Sequence, residues 1–166
     1  MSTQNPAAAL RRGFKKFRKE YFMIRKAEKC DAKTVAELAV RLWSEHSTEE
    51  LETEFCELLA DENCAVFLSE QGGEPVGFAQ CQLRHDYVEG TESSPVGYLE
   101  GIYVTEPYRN RRIASALLKA CESWAREQGC TEFASDCELA NADSLRFHLA
   151  AGFTEANRII CFQKKL

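Results

Sequence analysis

Apolar residues recur along this chain with two periods, and the places where the period changes divide it into short elements. Val35, Leu38, Ala39 and Leu42 recur at three- and four-residue intervals, and so do Leu51, Phe55, Leu58 and Leu59. Each set marks the buried face of a helix. Asp31 stands where an N-cap belongs, the first helix is expected to end near Trp43-Ser-Glu-His46, and the second spans 48–60. Strands are read at 23–27, 65–69 and 76–84, the last two joined by the hairpin turn Gln71-Gly-Gly-Glu74. A further strand, Tyr98-Leu-Glu-Gly-Ile-Tyr-Val104, is β-branched and aromatic and is broken by Glu106-Pro107. Ile113, Leu117, Leu118, Cys121 and Trp124 then return to helical spacing. A short strand at 132–136, a helix at 141–150 and a weakly alternating strand at 158–163 complete the chain. The order β-α-α-β-β-β-α-β-α-β puts hairpins first and βαβ units second. It predicts an α/β fold with a central mixed, mainly antiparallel sheet flanked by helices.

Composition divides the chain unevenly. Residues 1–22 carry six basic residues and one acid, Glu20, with Leu10, Phe14, Phe17, Tyr21 and Phe22 able to share one face of a short helix. This segment reads as a basic N-terminal appendage or leader, and the single domain, 23–166, begins at Met23. The domain holds 15 Lys and Arg against 25 Asp and Glu, so it is more acidic than the net charge of −5 suggests. Such a field disfavours nucleic acid and attracts cationic ligands. No apolar run approaches the length of a membrane span. Eight cysteines occur without a single C-x-x-C pair, and most lie in apolar segments. They read as reduced core thiols of a cytoplasmic protein, with no metal site expected.

Three places carry candidate chemistry. The basic loop Tyr108-Arg-Asn-Arg-Arg112 leads into a helix start, where free backbone N–H groups and the positive helix end suit an anion such as a diphosphate. Glu100 interrupts an apolar strand, and a carboxylate there needs a partner or a task. Asp136 ends the next strand, on the side of the sheet where ligands bind, with capping of the following helix as its plainer role. Trp43, His46 and Tyr87 offer ring faces that suit a cationic ligand, and each could instead be simple packing.

Several ungapped stretches, in order, resemble a known family. His85-Asp-Tyr-Val-Glu-Gly90, Ser93-Ser-Pro-Val96, Leu99-Glu-Gly-Ile-Tyr-Val104, Glu132-Phe-Ala-Ser-Asp136 and Ala151-Gly-Phe153 are similar to the aminoglycoside 6'-N-acetyltransferases of the GCN5-related N-acetyltransferase superfamily. Arg109-Asn-Arg-Arg112-Ile-Ala114 occupies the place of the superfamily's phosphate-binding loop, with Arg112 where that loop has its central glycine. The resemblance implies a GNAT-like fold and acetyl-CoA-dependent acetylation of the 6'-amino group of aminoglycosides. It further implies direct transfer in a ternary complex, antibiotic resistance, no metal and a homodimer.

Residue by residue, the resemblance assigns Trp43, His46, Tyr87, Glu100, Asp136 and Asn157 to the cationic substrate. Glu100 and Asp136 are the candidate bases, and Asn157 stands where the relatives carry a glutamate. The backbone of Ile102, Tyr103 and Val104 would hold the pantetheine arm. Arg109, Asn110, Arg111, Arg112, Ile113, Ala114 and Ser115 would take the pyrophosphate, and Asn141 would touch the pantetheine. His148 replaces the tyrosine that serves many members as proton donor. Two other readings stay open: acetylation of another polyamine or a protein amine, and a non-catalytic coenzyme A-binding module.

Overall fold

The architecture follows from one sheet that is covered on both faces. The computed structural model describes residues 21–166. Strand β1 spans Phe22–Lys26, and a single 3-10 turn leads into helix α1, Ala32–Ala39. Helix α2, Thr48–Leu58, precedes strands β2 (Cys64–Gln71), β3 (Glu74–Arg84) and β4 (Val96–Val104). Helix α3 (Ile113–Glu127), strand β5 (Phe133–Ser135) and helix α4 (Ala142–Ala151) follow. The strands lie side by side in chain order, the first four antiparallel and β5 parallel to β4.

Alternation along β2 explains the two-sided burial. Ala65 and Phe67 face one side and pack with Leu117, Cys121 and Trp124 of α3. Val66 and Leu68 face the other and pack with Val35, Ala39, Leu51 and Phe55 of α1 and α2. A strand buried on both faces reads as a continuous apolar run, as Cys64 to Leu68 does. Each large apolar side chain so removed from water contributes about 1.5–3 kcal/mol.

Four of the expected boundaries are changed. Helix α1 stops at Ala39, and Leu42 and Trp43 both donate to the Ala39 carbonyl as the chain turns away. Asp31 precedes α1 without capping it, because its carboxylate accepts 2.7 and 2.8 Å bonds from Arg25 instead. Phe22, expected in the appendage, is paired in β1 opposite Gln71, while the appendage helix itself lies outside the described residues. The strand expected at 158–163 is not formed. This stretch pairs with none of the described strands, and Ile160 and Phe162 are 81% and 92% exposed. A strand exists only as part of a ladder, and weak alternation alone does not supply the partner.

The cysteines also divide differently from expectation. Cys64, Cys81, Cys121 and Cys130 are buried free thiols, whereas Cys30, Cys56, Cys137 and Cys161 are exposed. Burial pushes the Cys64 thiol up to about 12, so it remains protonated and acts as a small apolar group.

The Arg25–Asp31 pair ties β1 to the start of α1, and Glu70 on β2 takes the other side of the same guanidinium at 2.7 Å. The Arg25 hydrogen bonds hold the Asp31 carboxyl below its ordinary value of 3.8, against the opposing effect of burial. A depressed native value means that the pair contributes above the unfolded pKa and is lost as pH falls through the native one. Asp31→Asn is therefore expected to cost about 1–3 kcal/mol at neutral pH. In urea titrations the gap to the unmodified protein should close progressively in acid; a gap independent of pH would contradict the assignment.

Candidate active site

The site is built where β4 changes partners. Cys81 lies opposite Leu99, but the next pair is Gln80 with Gly101, so Glu100 is the extra residue of a β-bulge. At the same point the pairing with β5 ends, Leu99 opposite Ser135 being its last pair. Beyond Leu99, β4 keeps β3 on one edge, and no strand among the described residues pairs with the other. Ile102, Tyr103 and Val104 all lie on this one-sided stretch.

Glu100, two residues beyond Tyr98 on β4, lies on the side of the sheet that carries that ring. Arg84, at the end of β3, grips both oxygens of Glu100, with Nη2 at 2.8 and 3.0 Å and Nε at 3.1 Å. The same guanidinium lies 3.4 Å from the centroid of the Tyr98 ring. Tyr98 is buried and paired with Ala134, two residues before Asp136. Strand alternation therefore places Asp136 on the Tyr98 side. Burial, then the neighbouring Asp136 carboxylate, push the Tyr98 hydroxyl up to about 12, so at neutral pH it is a donor toward Asp136. Both sequence-identified carboxylates thus flank one tyrosine. Asp136 does not cap α4; Asn141 does, its side chain accepting from Ser144 N at 3.0 Å.

Arg84 was not singled out from the sequence. It sits between an ordinary β3 pattern and a polar loop, and nothing local marks it as the partner of a residue sixteen positions on. The only usable signal was the demand that a carboxylate in an apolar strand must find a cation.

Aromatic packing shapes the wall of the cleft. The Trp43 indole lies against Gly101, where a Cβ would come within 2.6 Å of the ring. It also packs with Phe55 and Phe78, with ring centroids 6.4 and 5.9 Å away. Trp43 is thus both structural and half-exposed beside Glu100. His46 is exposed at the end of the same turn, its Nε2 3.9 Å from Glu45. Tyr87 is 82% exposed and donates a 2.6 Å hydrogen bond to Glu89, which also accepts from Asn157 at 3.0 Å. Glu89 therefore places a carboxylate beside the asparagine that stands at a glutamate position. Glu132 accepts from the backbone N–H groups of Glu92 and Ser93 and from the Ser93 hydroxyl, which anchors this loop to the sheet.

On the other side of the β4–β5 split, His148 joins α4 to β5. Its Nδ1 lies 2.8 Å from the Ser144 carbonyl, which only accepts, so that nitrogen carries a proton. Nε2 lies 3.0 Å from the Ser135 hydroxyl, and that hydroxyl contacts the Leu99 carbonyl at 3.1 Å. This bridge spans the last β4–β5 pair.

The basic loop leads into the start of α3 through two residues in the left-handed region. Asn110 and Arg112 have φ of 61° and 64°, and Arg112 precedes α3 in the left-handed region where glycine is favoured. Its side chain is exposed. Ile113 is buried and can offer only its N–H, while Ala114 and Ser115 complete the first turn of α3, whose N–H groups have no acceptor within the helix. Arg109 turns back to donate to the Val104 carbonyl at 3.0 Å, and Arg111 lies against the Tyr108 ring. Among the described residues no three His, Cys, Asp or Glu side chains are grouped to hold a metal ion.

The family model described as "Acetyltransferase (GNAT) family" matches residues 32–153, which includes the bulge, the split and the basic loop. The chain belongs to this acetyltransferase family. It is 44% identical over 144 residues to the aminoglycoside N(6')-acetyltransferase type 1 of Stenotrophomonas maltophilia, covering 86% of this chain and 93% of that one. It is 43% identical over 130 residues to the enzyme of the same name from Serratia marcescens, covering 78% and 89%. Among solved structures it is similar to AAC(6')-Iy bound to the bisubstrate analog CoA-S-monomethyl-acetylneamine, with a TM-score of 0.84 and 36% identity over 88% of this chain and 99% of that one. AAC(6')-Iy in complex with CoA aligns with a TM-score of 0.86, covering 90% and 98%.

For this acetyltransferase the contact of Trp43 with Gly101 is the constraint that keeps the cleft wall against Glu100. Gly101→Ala must displace the indole, and an overpacked site of this kind costs about 1–3 kcal/mol. Tryptophan emission should shift with it, since Trp124, the other tryptophan, lies on the buried face of α3. Unchanged emission and stability would show that Trp43 is not seated on this glycine.

Proposed function

We propose that this protein transfers the acetyl group of acetyl-CoA to the 6'-amino group of aminoglycosides, directly and in a ternary complex, and so confers resistance to them. The observation that carries the reading is the placement of Glu100 and Asp136 around Tyr98, beside the one-sided stretch of β4. The family membership and the named relatives support it.

The residues present fit coenzyme A on structural grounds. A β4 edge without a strand partner suits an extended amide-bearing arm that adds itself like a strand. Ile102, Tyr103 and Val104 would hold that arm. The left-handed residues Asn110 and Arg112 and the first turn of α3 suit a pyrophosphate, with Arg109, Arg111 and Arg112 adding positive charge. Asn141, whose side chain caps α4, would touch the pantetheine. When bound, acetyl-CoA supplies the acetyl group as an activated thioester.

The chain's own residues handle the acceptor. At neutral pH the amines of an aminoglycoside are largely ammonium ions, so the site must attract a cation and then remove a proton from it. Glu100 and Asp136 do the first together with the ring faces of Trp43 and Tyr87. His46, Glu89 and Asn157 extend the polar rim. Backbone N–H groups on the open edge of β4 can polarise the carbonyl under attack. His148 occupies the tyrosine position of related enzymes and reaches the split through Ser135. Residues 1–22 contribute none of these groups, and we assign them no part in turnover.

We further propose a cytoplasmic homodimer. Eight free cysteines suit a reducing compartment. Ile159, Ile160, Phe162 and Leu166 form an apolar tail that the single chain leaves in solvent, which suits burial against a second copy. Light scattering should then return twice the chain mass of 18.8 kDa, and a monomer at micromolar concentration would overturn the dimer.

The functional reading is tested by thiol release from acetyl-CoA across an aminoglycoside panel. Glu100→Gln and Asp136→Asn should each lower kcat/KM by roughly 10²-fold or more, with acetyl-CoA binding little changed. Release with a polyamine such as spermidine but with no aminoglycoside would replace the substrate class. No release with any amine would replace the enzyme by a binding module.

A further inference from the structure

The two carboxylates at the site are not equivalent, and the difference lies in Arg84. Glu100 has both oxygens engaged by one guanidinium at 2.8–3.1 Å, with side chains 37% and 21% exposed for the two partners. The guanidinium is itself fixed by its stack on Tyr98 at 3.4 Å. A planar fork held both edgewise and facewise is pre-organised and does not wander. Asp136 is exposed, and no arginine or lysine among the described residues forms an ion pair with it.

We propose that Arg84 is a positioning residue that divides the labour of the two acids. It holds Glu100 as a neutralised pair that orients the acceptor by hydrogen bonding, and it leaves Asp136 as the uncompensated carboxylate that takes the ammonium proton. In that step an N–H bond of the ammonium breaks, an O–H bond forms on Asp136, and the electron pair stays on nitrogen, ready for attack; solvent later removes the proton from exposed Asp136. Without Arg84 there would be two free carboxylates in one cleft. A polycation would then settle between them, held more tightly and with its reacting amine no longer committed to Asp136. The arginine thus sets both how many positive charges the site counts and where the reacting amine is placed. This inference rests on the acceptor class proposed above.

The test is a double-mutant cycle on the full chain, with kanamycin as the acceptor and thiol release as the readout. Arg84→Met unmasks Glu100 and should lower the kanamycin KM about fivefold or more, because an uncompensated carboxylate gains most from a cation. Glu100→Gln leaves Arg84 uncompensated and should raise that KM about tenfold or more, by repulsion of the polycation. The double variant removes both charges and should return KM to within about threefold of the unmodified enzyme, since the two effects share one interaction. Arg84→Lys, which keeps the charge, should not lower KM, while the KM for acetyl-CoA should stay within about twofold throughout if the effect is confined to the acceptor side.

A merely structural arginine would give a different pattern. KM would rise or stay level in Arg84→Met, and the double variant would keep the defect of Glu100→Gln. Either result overturns the proposal. If Arg84→Met does not fold, the Glu100→Gln and double variants still decide it, because a raised KM that the second substitution fails to restore is contrary. Absence of kanamycin turnover by the unmodified enzyme would instead defeat the acceptor assignment and leave the Arg84 question to the amine that is turned over.

Discussion

Strand β4 cannot serve two neighbours along its whole length, and the rest of the site depends on that limit. The bulge at Glu100 lets β4 remain in ladder with β3 while it parts from β5 after Leu99. A strand with one satisfied edge carries backbone donors and acceptors that need a partner or water. The consequence is a ready-made slot for an extended ligand in the interior of a sheet, at a point that conventional pairing would have closed. Glu100 is the residue that the bulge leaves without a partner on β3, and it lies on the Tyr98 side of the sheet.

Close packing then holds this opening in shape. Gly97 lies on the paired part of β4, where a Cβ would meet the Phe133 ring at 2.5 Å and Ala125 at 2.6 Å. That contact clamps β5 and α3 onto the strand just before the split. Gly101 lies just after it, beneath Trp43. Two glycines on one strand, one on each side of the bulge, thus admit bulky neighbours from opposite faces of the sheet. The Phe55–Phe78 edge-to-face pair continues that wall into the core below α1 and α2. Rigidity matters because the acids must address a ligand whose charges are spread over several rings, and a loose wall would let it bind without placing one amine.

Much of this was legible in the residues. Helical periodicity located α2 and α3 well, because each buries a stripe of side chains against the sheet. The hairpin at Gly72-Gly73 was readable from turn chemistry alone. Glu100 was identifiable because burial of a carboxylate is expensive, and Asp136 because of where β5 ends. The left-handed turn at Arg112 was not readable, since arginine carries no preference for that region and only the missing glycine hinted at it. Arg84 and Glu89 escaped notice because a charged residue at a strand end or in a polar loop has solvent as its default partner. The strand expected at 158–163 failed for a different reason: alternation encodes a face, but a ladder needs an edge, and among the described residues no strand pairs with that stretch.

The central claim is that the unpaired edge of β4 is where the cofactor arm adds itself to the sheet. Amide hydrogen exchange, followed residue by residue with and without coenzyme A, tests it most directly. The account requires new protection at amides within 101–104 and in the first turn of α3, with little change at 97–99, where β5 already pairs. Protection that appears at the α3 turn alone, with 101–104 exchanging as fast as before, would contradict it.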